Sequence, residues 1–356
     1  MRSILVTGAG GSAGNNVCWS LKVSKDGKNI LLDGTDIDRT SIELNSWIDR
    51  SYQLPRADSP RYLRSLNKII AKDRIEMVLP QPDSEVGRLS RDRESIHARM
   101  FLPDRETVKV CQDKYEALYH WFKNGLRREP IVLSPRSRRT KRRARELKFP
   151  CWVRARQGAG GNLSCLARSW RSVENWIGYH WNEGMKTDFV VEEYLPKRDF
   201  CFMSIWNEGK LVTSMVRERL SWVGHRTVGS GGTSKLNKVV HSNKVNTTAL
   251  RAIRSVSERP HGVFCVDLKQ DKSGNPRPTE INCRFTTNVH YLTLASLKLG
   301  HPEWNFPWIA ARICLGEKIP PTKALNALPS NIWFTKNTDM GFTMVQDNKW
   351  RAEDYS

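Results

Sequence analysis

Apolar positions in the first hundred residues follow two rhythms. Short apolar runs at Ser3–Thr7, Ile30–Gly34 and Glu76–Leu79 have the length of strands. Ser12–Val23 and Pro60–Lys72 read as helices, the second with Leu63, Leu66, Ile69 and Ile70 at helical spacing. Strands alternating with helices predict a parallel, Rossmann-like sheet. From about Cys111 the texture changes. A helix containing Asp113-Lys114 comes first, followed by a strongly basic helix. Then Pro150–Arg156, Leu163–Arg168, Phe189–Tyr194, Phe200–Trp206 and Leu211–Leu220 read as strands of a mainly antiparallel sheet. A helix covers about Lys244–Ser257, and a hairpin spans Val263–Cys283. The pattern divides the α/β chain into a Rossmann-like domain over 1–110, an α+β domain over 111–320, and a tail over 321–356 without readable chemistry.

Length and composition narrow the class. The chain has 356 residues, 39% of them hydrophobic, which is enough for two ordinary domains. No apolar stretch approaches the roughly 18 residues of a membrane span. The start, MRSILVTGAGG, carries neither an h-region nor a cleavage site, so a soluble cytoplasmic protein is expected. The eight cysteines show no CxxC spacing and sit mostly among apolar neighbours, as expected of reduced core thiols. No histidine pairs with a Cys or His at zinc-ligand spacing, so no structural zinc site is expected.

The net charge of +21 is uneven. Lys123 to Lys148 holds eleven basic and two acidic residues, and seven of the ten residues Arg136–Arg145 are basic. Ser134-Pro135 is a good cap and first-turn pair for a helix there. The run reads either as a patch for nucleic acid or another polyanion, or as a solvated helix. No aromatic-interleaved signature accompanies it, so the solvated reading is favoured.

Residues 8–14, GAGGSAG, follow a strand and open a helix, where backbone N–H groups can approach a phosphate. Asp33 and Asp36 close the next strand about where a ribose-binding acid would stand. Tyr119 and Lys123 form a YxxxK pattern. Together these give the reading of an NAD(P)-dependent reductase. Against it, a tight strand-to-helix turn needs glycine whether or not a nucleotide binds. Leu118, Trp121 and Phe122 around Tyr119 are better explained as core.

Gly262 to Phe285 is the most informative stretch. Its turn is centred on Ser273-Gly274-Asn275, and a pivot between Ser273 and Gly274 sets Asp267 opposite Glu280. Period-2 alternation then gathers Asp267, Glu280, Asn282 and Arg284 on one face. Phe264, Val266, Leu268, Ile281 and Cys283 turn to the other, toward a core. Paired carboxylates repel unless a cation lies between them, and hard oxygen donors select Mg²⁺ or Mn²⁺. The adjacent guanidinium suits a phosphate.

ELKFPCWVRARQGAGGNLSCL resembles a pattern in which a cationic strand runs into a glycine-rich loop, and FVVEEYLPKRDFCF resembles an adenine-binding hinge. TEINCRF resembles a metal-binding E-x-N-x-R strand. With Asp113-Lys114 and ILVTGAGGSAG, the order over roughly residues 1–315 resembles the ATP-grasp enzymes nearest the carbamoyl-phosphate synthase large subunit. The resemblance implies a Rossmann-like pre-ATP-grasp domain followed by an ATP-grasp α+β domain. It implies that Lys114 and Arg154 contact ATP phosphates or the adenine edge, and that Gly158, Gly160 and Gly161 form the loop over the phosphates. Glu192, Glu193 and Leu195 would line the adenine pocket, with Asp199 near the ribose. Asp267, Glu280 and Asn282 would hold Mg²⁺, with Arg284 on the transferred phosphate and Arg154 sharing its charge. The chain departs from the commoner family pattern in Arg154 for Lys, Ala155 for the following Pro, and Asp199 for Glu.

The implied activity is an ATP-dependent carboxylate–amine ligase with one ATP site, with Arg284 and Arg154 as catalytic residues. Its partners would be a small-molecule carboxylate and a nucleophile, with a homodimer as a candidate assembly and no membrane. The alternatives are the nicotinamide-dependent reductase and a non-catalytic polyanion-binding protein on an ATP-grasp fold. The segment from Trp222 to Thr233 reads as a loop beside the phosphates or as a plain surface loop, with His225 and Arg226 as candidate substrate contacts.

Overall fold

The computed structural model describes residues 1–134, 148–158, 161, 163–223 and 234–336, and the backbone of two strands at 343–346 and 349–354. Five strands form the first sheet: β1 (Arg2–Thr7), β2 (Ile30–Asp36), β3 (Arg50–Gln53), β4 (Met77–Leu79) and β5 (Arg99–Met100). Their order is β3-β2-β1-β4-β5, and every pairing is parallel, as the alternation of strands and helices predicts. The helix Tyr62–Asp73 buries Leu66, Ile69 and Ile70 against this sheet. It ends at Arg74, whose left-handed φ of 52° stops the helical ladder.

Asp113 departs from the expected helix. It is the cap between two helices, Arg105–Gln112 and Lys114–Lys123, and its carboxylate accepts from the N–H groups of Tyr115 (3.0 Å) and Glu116 (3.2 Å). An acid that satisfies orphan amides favours starting a new helix over continuing the old one.

Two antiparallel sheets follow. The smaller has order β6-β9-β7-β8, from β6 (Ile131–Leu133), β7 (Cys151–Ala155), β8 (Cys165–Ala167) and β9 (Phe189–Glu193). It has its own small core with Val173 and Ile177 of the helix Trp170–Asn182. The larger has order β14-β13-β10-β11-β12-β15. Its strands are β10 (Asp199–Asn207), β11 (Lys210–Trp222), β12 (Ser234–Val239), β13 (Gly262–Gln270), β14 (Pro276–Asn282) and β15 (Trp333–Thr335). A last hairpin joins β16 (Thr343–Gln346) to β17 (Lys349–Asp354).

The larger sheet is covered on both faces. Phe264, Val266, Leu268, Ile281 and Cys283 pack with Ala249 and Ile253 of the helix Asn243–Val256, on the side that alternation predicts. Met203, Met215 and Cys265 pack on the other face with Phe306 and Ile309 and with Ile4 and Val6 of β1. The first sheet contributes to both cores, so it is packed against the larger sheet. Truncating a fully buried ring such as Phe264 to Ala in such a core costs about 3–5 kcal/mol. All eight cysteines are free thiols, seven of them buried. Among the described residues no helix is long and apolar enough to cross a membrane.

Candidate active site

The strand registers of the larger sheet build the site in rows. Arg217 pairs with Cys201, Cys201 with Asp267, and Asp267 with Glu280, one continuous row over β11, β10, β13 and β14. Directly paired residues share a face, so this row projects to one side of the sheet. The next row on that face holds Arg219, Asp199 and Lys269, and the row on its other side brings Asn282 opposite Cys265.

The Asp267–Glu280 pairing expected from alternation is present, but the turn alone does not set it. Nearest the turn, Gln270 faces Pro276, Lys269 faces Arg277 and Leu268 faces Pro278. That register would place Thr279 opposite Asp267. A shift between Asp267 and Leu268 takes Thr279 out of the ladder and brings Glu280 into place. The Thr279 hydroxyl then donates to the Asp267 carbonyl (3.1 Å), and its own carbonyl accepts from Arg154 Nη2 (2.6 Å). The bulge thus fixes both the acidic pair and the arginine above it.

A cleft of about 280 Å³ lies between the two antiparallel sheets. Lys114, Arg154, Gly158, Gly161, Glu192, Glu193, Leu195, Asp199, Asp267, Glu280, Asn282 and Arg284 all line it. Gly160 lies outside the described residues, as do Arg136–Arg145, His225 and Arg226. Lys114 reaches from its helix to donate to the Gly158 carbonyl, and its Nζ stands 3.8 Å from Glu280 Oε1. Burial holds its ammonium below the usual lysine range, opposed by the charge of Glu280.

The two glutamates that end β9, Glu192 and Glu193, are occupied. Glu192 lies 2.7 Å from Arg154 Nε and 2.6 Å from Arg127, a buried residue that sequence reasoning did not single out. Glu193 pairs with Arg127 (3.4 Å) and Arg128 (3.3 Å). Both carboxylates are thus spent on guanidinium groups. Removing one partner of such a buried pair typically costs about 3–5 kcal/mol, so this network holds the wall of the cleft.

Two further missed residues are Arg219 and Asp83. Arg219 bridges Asp199 (2.6 Å) and Asp267 (3.0 Å) and lies over the Trp222 ring at 5.2 Å. Burial raises the Asp199 carboxyl above its ordinary value, against the pull of Arg219 and Lys269. Asp83, the first residue of the helix Asp83–Arg91, takes both fork nitrogens of Arg284, at 2.6 and 2.8 Å. Arg284 therefore shares the cleft with the hairpin acids but pairs with the first domain. The i, i+2 spacing of Arg217 and Arg219 in β11 was a readable signal for one cationic face, whereas Asp83 carried none.

The acidic set fits a hard divalent cation. Asp267 Oδ1 is buried with no hydrogen-bond partner among the described residues, while Oδ2 is held by Arg219. No cluster of three His, Cys, Asp or Glu side chains is placed as a metal site among those residues. Two carboxylates and the Asn282 amide would instead be the donors, all oxygen, a set that suits Mg²⁺ or Mn²⁺ rather than softer metals.

The glycine turn of residues 8–14 does not line this cleft. A Cβ at Gly8 would stand 2.3 Å from Pro82 Cγ, and one at Gly14 would stand 2.1 Å from the Gly8 carbonyl. Packing alone therefore requires glycine at both. Asp36 accepts from the Gly10 N–H at 3.0 Å, and Asp33 is buried beside Arg50 at 2.9 Å. Leu118 and Trp121 are core residues, and Tyr119 stacks on Tyr115.

A family model described as an ATP-grasp domain matches residues 111–288. No curated protein matches the sequence. Among solved structures, the chain is similar to an L-amino acid ligase from Bacillus licheniformis, with a TM-score of 0.67 and 12% identity over 90% of this chain and 78% of that one. It is similar to N5-carboxyaminoimidazole synthetase from Staphylococcus aureus complexed with ADP, with a TM-score of 0.66 and 16% identity over 90% and 78%. It also resembles the biotin carboxylase domain dimer of 2-oxoglutarate carboxylase from Hydrogenobacter thermophilus, in complex with MgADP, ADP and bicarbonate. There the TM-score is 0.65 with 15% identity over 93% and 73%. At these identities the likeness is one of fold.

Proposed function

The chain belongs to the ATP-grasp family, and we propose that it is an ATP- and Mg²⁺-dependent ligase that activates a small carboxylate as an acyl phosphate for attack by an amine or similar nucleophile. The observation that carries this reading is the Asp267–Glu280 pair, with a buried oxygen that has no partner among the described residues, in one cleft with Lys114, Arg154 and Arg284. Asp267, Glu280 and Asn282 would hold Mg²⁺, whose charge offsets that of the phosphates. Lys114 and Arg154 neutralise the phosphates from the opposite wall, where exclusion of water strengthens each charge. Gly158 and Gly161 both have positive φ, at 111° and 67°, and present backbone to the nucleotide. Asp199 faces the ribose, and the hinge at Glu192, Glu193 and Leu195 faces the base. Arg284 receives the transferred phosphate.

The substrate carboxylate oxygen attacks the γ-phosphorus and ADP leaves; the nucleophile then attacks the acyl carbon and phosphate leaves. Catalysis is positioning and charge neutralisation. The order of motifs supports a reaction like that of carbamoyl-phosphate synthase at a single site. The dimer named for the Hydrogenobacter carboxylase domain supports a homodimer. The reductase reading draws no support from a glycine turn that packing already requires. A non-catalytic polyanion-binding role is disfavoured by the intact acidic set.

The test is a thermal-shift panel of ATP, ADP, NAD and NADP, each with and without Mg²⁺. ATP with Mg²⁺ should raise the melting temperature by mass action, and the dinucleotides should not. Stabilisation by NAD without stabilisation by ATP refutes the ligase reading.

A further inference from the structure

The arginines of the cleft are not alike. Arg127 and Arg154 lie within 2.7 Å of Glu192, Arg219 lies 2.6 Å from Asp199, and Arg284 is held by Asp83. Arg217 is 4% exposed, and among the described residues no carboxylate pairs with it. It donates to Ser234 Oγ at 3.1 Å and to the Asn237 amide oxygen. Asn288 joins with its amide oxygen 2.9 Å from Ser234 Oγ and 3.0 Å from Arg217, in the orientation that satisfies both groups. The sequence just before Ser234, residues 224–233, contains no acid. A guanidinium stays charged in a protein, and neutral partners offset only part of the cost of taking that charge from water.

Its place on the sheet separates it from the acidic pair. Arg217 and Asp267 belong to the same row with Cys201 between them, so their Cα atoms are two strand spacings, about 10 Å, apart. Ser234, Asn288 and Arg217 all line the cleft at this end. We propose that Arg217, with Ser234 and Asn288, forms a subsite for an anionic group of the substrate, a carboxylate or a phosphate distinct from the one transferred. The inference rests on the ligase reading and narrows it: the substrate that enters beyond Cys201 carries negative charge of its own. The incoming anion supplies the counter-charge that the fold withholds, and Ser234 and Asn288 can turn their polar hydrogens toward it.

The experiment uses the full chain, wild type, Arg217→Gln and Arg217→Met, titrated calorimetrically with succinate and with inorganic phosphate, with chloride at matched ionic strength as control. Each series is run with and without MgADP. Succinate or phosphate should bind wild type and bind Arg217→Gln at least tenfold more weakly, with MgADP affinity unchanged; which probe binds separates a carboxylate from a phosphate group. Without ligand, Arg217→Met should melt no lower than wild type, because it removes an uncompensated charge. Three results overturn the subsite: neither probe binding wild type, equal binding in Arg217→Gln, or joint loss of anion and MgADP binding in that variant. A lower melting point of Arg217→Met with anion binding retained makes Arg217 structural and overturns it as well. Anion binding through Arg217 in a wild-type protein that ignores MgADP leaves the subsite standing and removes the ligase reading instead.

Discussion

Asp267 stands opposite Glu280 because Thr279 is bulged out of the ladder between them and the turn. The bulge gives the hairpin two registers, one suited to the turn and one that pairs the acids. If the pair holds Mg²⁺, Glu280→Gln should lower ATP turnover by roughly a hundredfold or more, since it removes a charged ligand from the site of phosphate neutralisation. The fold should survive, because Glu280 is about a third exposed and its nearest cation, Lys114, is 3.8 Å away. Steady-state ATP turnover and a melting curve on the same preparation decide it. Near-normal turnover in a folded variant removes the acidic pair from the reaction.

Glu85 gives the first domain a pH dependence of predictable sign. Burial beside Tyr62 and Thr7 pushes its carboxyl up to about 7 from an ordinary 4.5. The folded state therefore holds a proton that the unfolded state releases, and stability falls as pH rises from about 4.5 through 7. The loss is at most roughly 3–4 kcal/mol. Glu85→Gln should melt higher than wild type above pH 7 and lose that advantage near pH 4.5. Asp33, raised to about 6 by burial, has the same sign but is common to both proteins, so it cancels in the comparison. Parallel melting curves across the range would falsify the buried, protonated carboxyl.

The site was legible where its chemistry is local. Alternation set Asp267, Glu280 and Asn282 on one face, a register that holds only through the bulge at Thr279, which no local signal marked; Arg284 lines the same cleft, and the apolar set Phe264, Val266 and Leu268 went to the other face as expected. The glycines at 8 and 14 were legible as a turn, but only the approach of Pro82 shows that packing accounts for them. Asp113 was misread because helical spacing continues through it while its side chain starts a new helix. The short strand β6 was hidden in a basic window, since three residues show no period. Arg127–Glu192 and Asp83–Arg284 were out of reach, for partners 65 and 201 residues apart leave no local pattern. The sequence could say that cations line the cleft, but not which of them already have counter-ions.

That distinction makes the Asp83–Arg284 pair testable. It is bidentate and partly buried, with side-chain exposures of 33% and 17%, and it links the helix Asp83–Arg91 to the residue just past β14. A fork-to-carboxylate pair of this geometry should show a coupling of about 1–2 kcal/mol in a double-mutant cycle of Asp83→Asn and Arg284→Gln, above the typical exposed pair. In Asp83→Asn the guanidinium loses its counter-charge, so a phosphate-bearing ligand gains where the protein lost. ATP with Mg²⁺ should then raise the melting temperature of Asp83→Asn by more than it raises that of wild type, while Arg284→Gln should show a smaller rise than either. Coupling below about 0.5 kcal/mol, with equal ATP-induced shifts in wild type and Asp83→Asn, would mean that Asp83 does not hold Arg284 in solution. If the larger shift appears, Asp83 serves as a stand-in anion, keeping a charge in the cleft compensated until the substrate phosphate replaces it.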